Sequence, residues 1–165
     1  MKILVIGLGN PILGDDGVGW IVAEEVRKQL VSTILPKGEE NIVDVDCLSL
    51  GGISLMERLI GYEHAILVDA FICMDEPGSI LVSDLEALPD VSAFHLTSAH
   101  DMSLQNAMRL GRHLGAELPE KVTVVGVSAR HVYDFSEELS LPLQEAVPKV
   151  TQIVVELLMQ KITIH

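Results

Sequence analysis

Cysteine is scarce: Cys47 and Cys73 are the only two. They give no disulfide framework, and a reducing cytoplasm is the simplest setting. Aromatic residues make up only 4% of the chain, so Val, Ile and Leu must fill its core. Basic residues number 11 against 24 acidic ones, for a net charge of −13. Such a surface repels nucleic acid and anionic lipid. It suits a cation, a metal or a basic polypeptide as partner, although solubility alone would account for the charge. No run approaches the roughly 18 apolar residues of a membrane span. The start, "MKILVIGLGN", reads as a first strand and not as a signal peptide, because glycines and aspartates follow its short apolar run. No repeat, low-complexity tract or linker interrupts the chain. No HExxH motif is present, and no Ser/His/Asp or Cys/His signature is convincing.

What is present is a chain of 165 residues, 48% hydrophobic. That supports one domain over residues 1–165 with a substantial core. Lys2 to Ile6 is an apolar, β-branched run that stops at Gly7, as a buried strand would. From Gly17 the period becomes helical, with Val18, Ile21, Val22, Val26 and Leu30 on one face. "LPKGEEN" (35–41) reads as a loop and "IVDVDCL" (42–48) as a strand. Gly51 to Ile60 reads as a short helix. "HAILVDAF" (64–71) is a third strand, with Asp69 at its end. "EPG" (76–78) turns the chain into "SILVSDL" (79–85), a short link that favours one antiparallel strand. After a loop with Pro89, Thr97 or Ser98 is placed to cap a helix carrying Leu104, Ala107, Met108 and Leu114. "KVTVVGVSA" (121–129) is the last strand. A long helix follows, marked by Leu143, Val147, Val150, Val154 and Leu158, with Pro148 kinking it or lying in its first turn. Alternating strands and helices predict a three-layer α/β/α sandwich around a mainly parallel sheet of about five strands. Sites in such sheets form at the carboxyl ends of strands.

The stretch "GLGNPILGDDGVGW" (7–20) opens like a phosphate-binding loop and then sets Asp15 beside Asp16. As a dinucleotide motif it fits poorly. Gly7 and Gly9 match, but Ile12 stands where a third glycine belongs. Asp44 and Asp46 lie inside a strand and not at the end where a ribose ligand is expected. A nucleotide-binding module built on Gly7 and Gly9 is the alternative reading. "GLGNP" is also similar to a string in peptidyl-tRNA hydrolases, but the acidic chain disfavours a tRNA substrate and no "TRHN"-like segment follows.

Each candidate residue has a bland reading. Asp15 and Asp16 can cap a helix, yet two caps are not needed, which leaves one carboxylate for another task. Asp69 can make an Asx-type turn, but it sits at the end of a strand expected to be buried on both faces. His100 and His95 compete as helix-start histidines. His64, His113, His131 and His165 have no motif around them. Cys73 lies near Asp69 without an activating signature, and Cys47 reads as core. Two carboxylates and an imidazole from three separated segments form an O/O/N set that suits a divalent ion such as nickel or zinc.

"ILVIGLGNPILGDDGVG", followed by "ILVDAF", "TSAHDMSL" and "VTVVGV", resembles the hydrogenase maturation endopeptidases over nearly the whole chain. The resemblance implies a protease that trims the C-terminal tail of a nickel–iron hydrogenase large-subunit precursor after nickel insertion. It implies Asp16, Asp69 and His100 as the residues that face the metal and carry catalysis, with Asp15 capping or orienting. Nickel would arrive within the precursor, and zinc or cadmium would be surrogates. Neither nucleic acid nor membrane is expected as a partner, and a cytoplasmic location is. One departure stands out. Many members carry a "DGGT"-type segment tied to substrate choice; here "SLGGIS" (49–54) places Leu50 where its Asp would fall.

Overall fold

In a computed structural model, the chain is described over residues 1–32, 42–72, 76–89, 102–130, 132 and 134–163. Five strands form the sheet: β1 (Lys2–Leu8), β2 (Ile42–Leu48), β3 (His64–Ile72), β4 (Ile80–Asp84) and β5 (Lys121–Ala129). Four helices accompany them: α1 (Val18–Ser32), α2 (Gly52–Arg58), α3 (Leu104–His113) and α4 (Leu141–Thr163). The strand order is β2-β1-β3-β5-β4. All pairings are parallel except β4 with β5. The antiparallel strand expected after "EPG" is therefore present, but it pairs with β5 and not with β3, the strand it follows.

Alternation along the buried strands sorts their side chains to two faces. Ile3, Val5, Ile66, Val68, Val125 and Val127 pack with Val18, Val22 and Val26 of α1 and with Leu143, Val150, Val154 and Leu158 of α4. Leu4, Ile6, Leu67 and Val124 pack on the other face with Leu55 and Met56 of α2 and Ala107 and Met108 of α3. This is the expected three-layer sandwich, with a single-domain α/β architecture. Aliphatic side chains build both cores, as the shortage of aromatics requires.

Two local expectations are corrected, and of the two positions open to Pro148 one is excluded. β3 runs on to Ile72, so Asp69 lies inside it. The cap of α3 is Ser103, whose hydroxyl accepts from the Asn106 N–H at 3.3 Å; Thr97 and Ser98 lie outside the described residues. Pro148 sits in the interior of α4, and Pro142 occupies the first turn, where a missing N–H costs nothing. The 35–41 segment also lies outside the described residues.

Candidate active site

The order β2-β1-β3 makes the chain leave β1 towards one side and return on the other. That reversal opens a crevice between the carboxyl ends of β1 and β3, where open α/β sheets place ligands. The strand register locates it. Gly7 and Val68 are the last β1–β3 pair, while β3 continues beside β5 to Ile72. Asp69 is thus the first β3 residue past the point where β1 departs. It is 2% exposed. By alternation it shares the face of Leu67, the one covered by α2 and α3.

Asp16 reaches the same edge from the loop after β1. A single 3-10 turn over Gly14–Gly17 precedes α1 and packs against β3. Asp16 is 5% exposed, and its Oδ2 accepts from the Asn10 N–H at 2.6 Å. Glycines make the approach possible. Gly9 has φ +122°, and a Cβ there would lie 1.9 Å from the Asp16 carbonyl oxygen. A Cβ on Gly19 would lie 2.3 Å from the Leu8 carbonyl and 2.4 Å from that of Val68. The first turn of α1 is therefore pressed onto the mouth of the β1–β3 crevice. Its amino end favours negative charge nearby, which helps explain how two adjacent acids are tolerated.

Asp15 points elsewhere. Successive residues of a 3-10 turn diverge by about 120°, which sends its carboxylate to the start of α4. Oδ1 accepts from the Ser140 N–H at 2.7 Å and Oδ2 from the Ser140 hydroxyl at 2.9 Å. Asp15 does anchor a helix start, through Ser140, 125 residues later in sequence and immediately before α4. Nothing in the sequence around Asp15 names Ser140 as its partner. The same segment is held again by Gly14 N–H to Ser136 O (2.7 Å) and Ser136 N–H to Ile12 O (3.1 Å).

The loop's own amides are engaged. Gly9 donates to Leu48 O, Ile12 to Asn10 Oδ1, Leu13 to Asn10 O and Asp16 to Leu13 O. With Asn10 bound to Asp16 and Gly14 to Ser136, six amides of the loop already have acceptors within the chain. Asp44 and Asp46 are engaged as well. The Tyr62 hydroxyl donates to Asp44 Oδ2 at 2.8 Å, and Arg58 Nε donates to Asp46 Oδ2 at 2.6 Å.

His100, the third expected ligand, lies outside the described residues, as do His95, His131, His165 and Cys73. Among the described residues, no group of three or more His, Cys, Asp or Glu side chains is placed to hold a metal. Met102, two residues past His100 in sequence, does sit at this edge: a Cβ on Gly52 would meet its carbonyl oxygen at 2.7 Å. Gly52 has φ +51° and opens α2, so the glycine pair of "SLGGIS" keeps the backbone shape that α3 needs to approach. Leu50 is exposed beside it. His64 begins β3 and His113 ends α3, both at the opposite edge. Cys47 is half-buried within β2; burial first, then the nearby Glu24 carboxylate, pushes its thiol up to about 11. It behaves as a packing residue. A cleft of about 220 Å³ lined by Asp84, Glu86, Arg112 and Lys121 also lies at the far edge, and neither Asp16 nor Asp69 lines it. Among the described residues, no helix is long and apolar enough to cross a membrane.

Known proteins resemble the chain over most of its length. The hydrogenase 2 maturation protease of Escherichia coli (strain K12) is 29% identical over 128 residues, 77% of this chain and 73% of the relative. The crystal structure of a hydrogenase 2 maturation peptidase from a Thaumarchaeota archaeon superposes with a TM-score of 0.65 at 29% identity, over 96% of this chain and 98% of that one. The hydrogenase-maturating endopeptidase HybD from E. coli shares the fold with a TM-score of 0.75 at 24% identity, over 98% and 94% of the two chains. The family described as HycI, hydrogenase maturation protease, matches residues 25–157, from within α1 almost to the end of α4. With that match on this fold, the chain belongs to the hydrogenase maturation protease family and is a peptidase.

Proposed function

We propose that the chain removes the C-terminal tail of a nickel–iron hydrogenase large-subunit precursor once nickel is in place. In this reading the nickel is part of the substrate, and Asp16, Asp69 and His100 recognise it. One observation carries the reading: two carboxylates from separate segments, each more than nine-tenths buried, lie in the turn after β1 and within the neighbouring strand β3, and that turn packs against β3. Buried carboxylates are compatible with a cation as partner. Two carboxylate donors with an imidazole suit nickel, and zinc or cadmium as surrogates. Met102 lies against Gly52 at the same edge. The two cysteines, without a disulfide framework, favour the cytoplasm as the place of action.

Bound nickel would polarise the scissile carbonyl or acidify a water. The chain's own part is to hold the precursor in register and to supply a carboxylate that accepts the proton of the attacking water. The exposed Leu50 sets part of the substrate preference in place of an acid. Nickel-loaded and nickel-free precursor, purified from cells lacking their processing protease, provide the test. Mass spectrometry of the large subunit should show loss of the tail only from the loaded form. Equal cleavage of both would overturn nickel recognition.

A further inference from the structure

The loop that carries Asp16 is paired with a segment far along the chain, and the pairing displays an aromatic ring. Leu13 and Ser136 form an isolated parallel β-bridge. The residues that precede the bridged pair are held close to each other, because the Ser136 N–H donates to the Ile12 carbonyl at 3.1 Å. Those residues are Ile12 and Phe135. Ile12 is 47% exposed and Phe135 is 86% exposed. A phenylalanine so placed contributes almost nothing to the fold, and it stands beside a β-branched residue four positions from Asp16. Glu137 and Glu138 follow it directly and are exposed as well.

We propose that Ile12 and Phe135 form a docking rib for the hydrogenase precursor, gripping an apolar side chain flanked by Lys or Arg. This rests on the processing role proposed above and names the surface that would confer binding. Charge selects the occupant. Glu137 and Glu138 make the rim of the rib acidic, within a chain of net charge −13. A second copy of the same chain is repelled, whereas a basic stretch of polypeptide is attracted. An aromatic and an aliphatic side chain in a polar rim form the usual pattern of a small binding hot spot. The bridge fixes the rib to the Asp16 loop, so a precursor seated there is registered against the paired acids.

The test uses the full chain and nickel-loaded precursor, with kcat and KM measured at about 50 mM and about 300 mM salt. Phe135→Ser should raise KM by about tenfold or more, the loss expected for an aromatic anchor, with kcat within about twofold of wild type. Its denaturation midpoint should not move, because the ring is exposed. The Glu137→Gln/Glu138→Gln double variant should raise KM at the lower salt only and flatten its salt dependence. An unchanged KM in Phe135→Ser, or a loss confined to kcat, would overturn the rib while leaving the processing role intact. A wild-type dimer in sedimentation that Phe135→Ser dissolves would assign the rib to self-association and overturn it too. Failure of the wild type to process loaded precursor would overturn the processing role itself.

Discussion

Replacing Asp15 with alanine tests the tie between the first loop and the last helix. The side chain is 1% exposed and accepts two bonds from Ser140, at 2.7 and 2.9 Å. A hydrogen bond to an ionised acceptor contributes about 1.5–3 kcal/mol net. Removing a buried carboxylate also removes its desolvation cost, which offsets part of that loss. Asp15→Ala should therefore destabilise by about 2–4 kcal/mol. Ser140→Ala removes the hydroxyl bond but keeps the N–H bond and should cost about 1–2 kcal/mol. The double variant should fall short of the sum by about 1 kcal/mol, because each change removes the same contact. At this chain length a kcal/mol corresponds to about 2–4 °C in Tm, so Asp15→Ala should melt roughly 5–15 °C early. Urea titration of the four proteins gives the cycle, with thermal melts as a check. An Asp15→Ala protein within about 0.5 kcal/mol of wild type, or strict additivity in the cycle, would refute the tie.

Asp16→Asn and Asp69→Asn should keep the fold within about 1 kcal/mol, yet slow processing of nickel-loaded precursor by at least about a hundredfold; mass spectrometry and urea melts check the two halves. Gly19→Ala should cost about 2 kcal/mol or more, since its methyl would press on the Leu8 and Val68 carbonyls; denaturation of this variant beside Gly115→Ala, where nothing lies within 4 Å, separates the clash from loss of glycine flexibility. In a Cys73→Ser background, Cys47 should resist iodoacetamide at pH 8 in the native protein and react at least about tenfold faster in urea. Its thiol is held up near 11 in the fold, against an ordinary value of 9.0. Between those values the native state binds the extra proton, so this group's contribution to stability falls as pH rises from about 9 to about 11.

Strand positions were legible because β1, β3 and β5 are buried on both faces and so are mostly apolar, with Asp69, Thr123 and Ser128 as buried polar exceptions. The bounds of β2 and β5 came out as read, 42–48 and 121–129. The place of β4 beyond β5 was not legible, because pairing partners leave no mark in a strand's own sequence. The helix cap slipped from Thr97 or Ser98 to Ser103 because each of these hydroxyls has the same local chemistry. At the site, Asp16 and Asp69 stood out as polar residues beside buried strands. Their neighbour Asp15 could not be told from Asp16 by spacing. A 3-10 turn separates the two by direction, and Ser140, the partner of Asp15, is 125 residues away. The Leu13–Ser136 bridge beside Ile12 and Phe135 was hidden for the same reason: each residue is unremarkable in its own segment.

The placement of β5 between β3 and β4 also orders events during synthesis. β4 leaves the ribosome before α3 and well before β5, the strand against which it hydrogen-bonds. Until β5 emerges, β4 cannot bond to β3 without occupying its partner's place. The nascent chain therefore carries an unpaired strand with Leu81 and Val82 on display, residues that stay partly exposed even in the finished sheet. Such a strand can add to a neighbouring nascent chain on the same message. Slowing translation between β4 and β5 should lengthen that interval and lower the yield of soluble protein, while the folded product keeps the same stability.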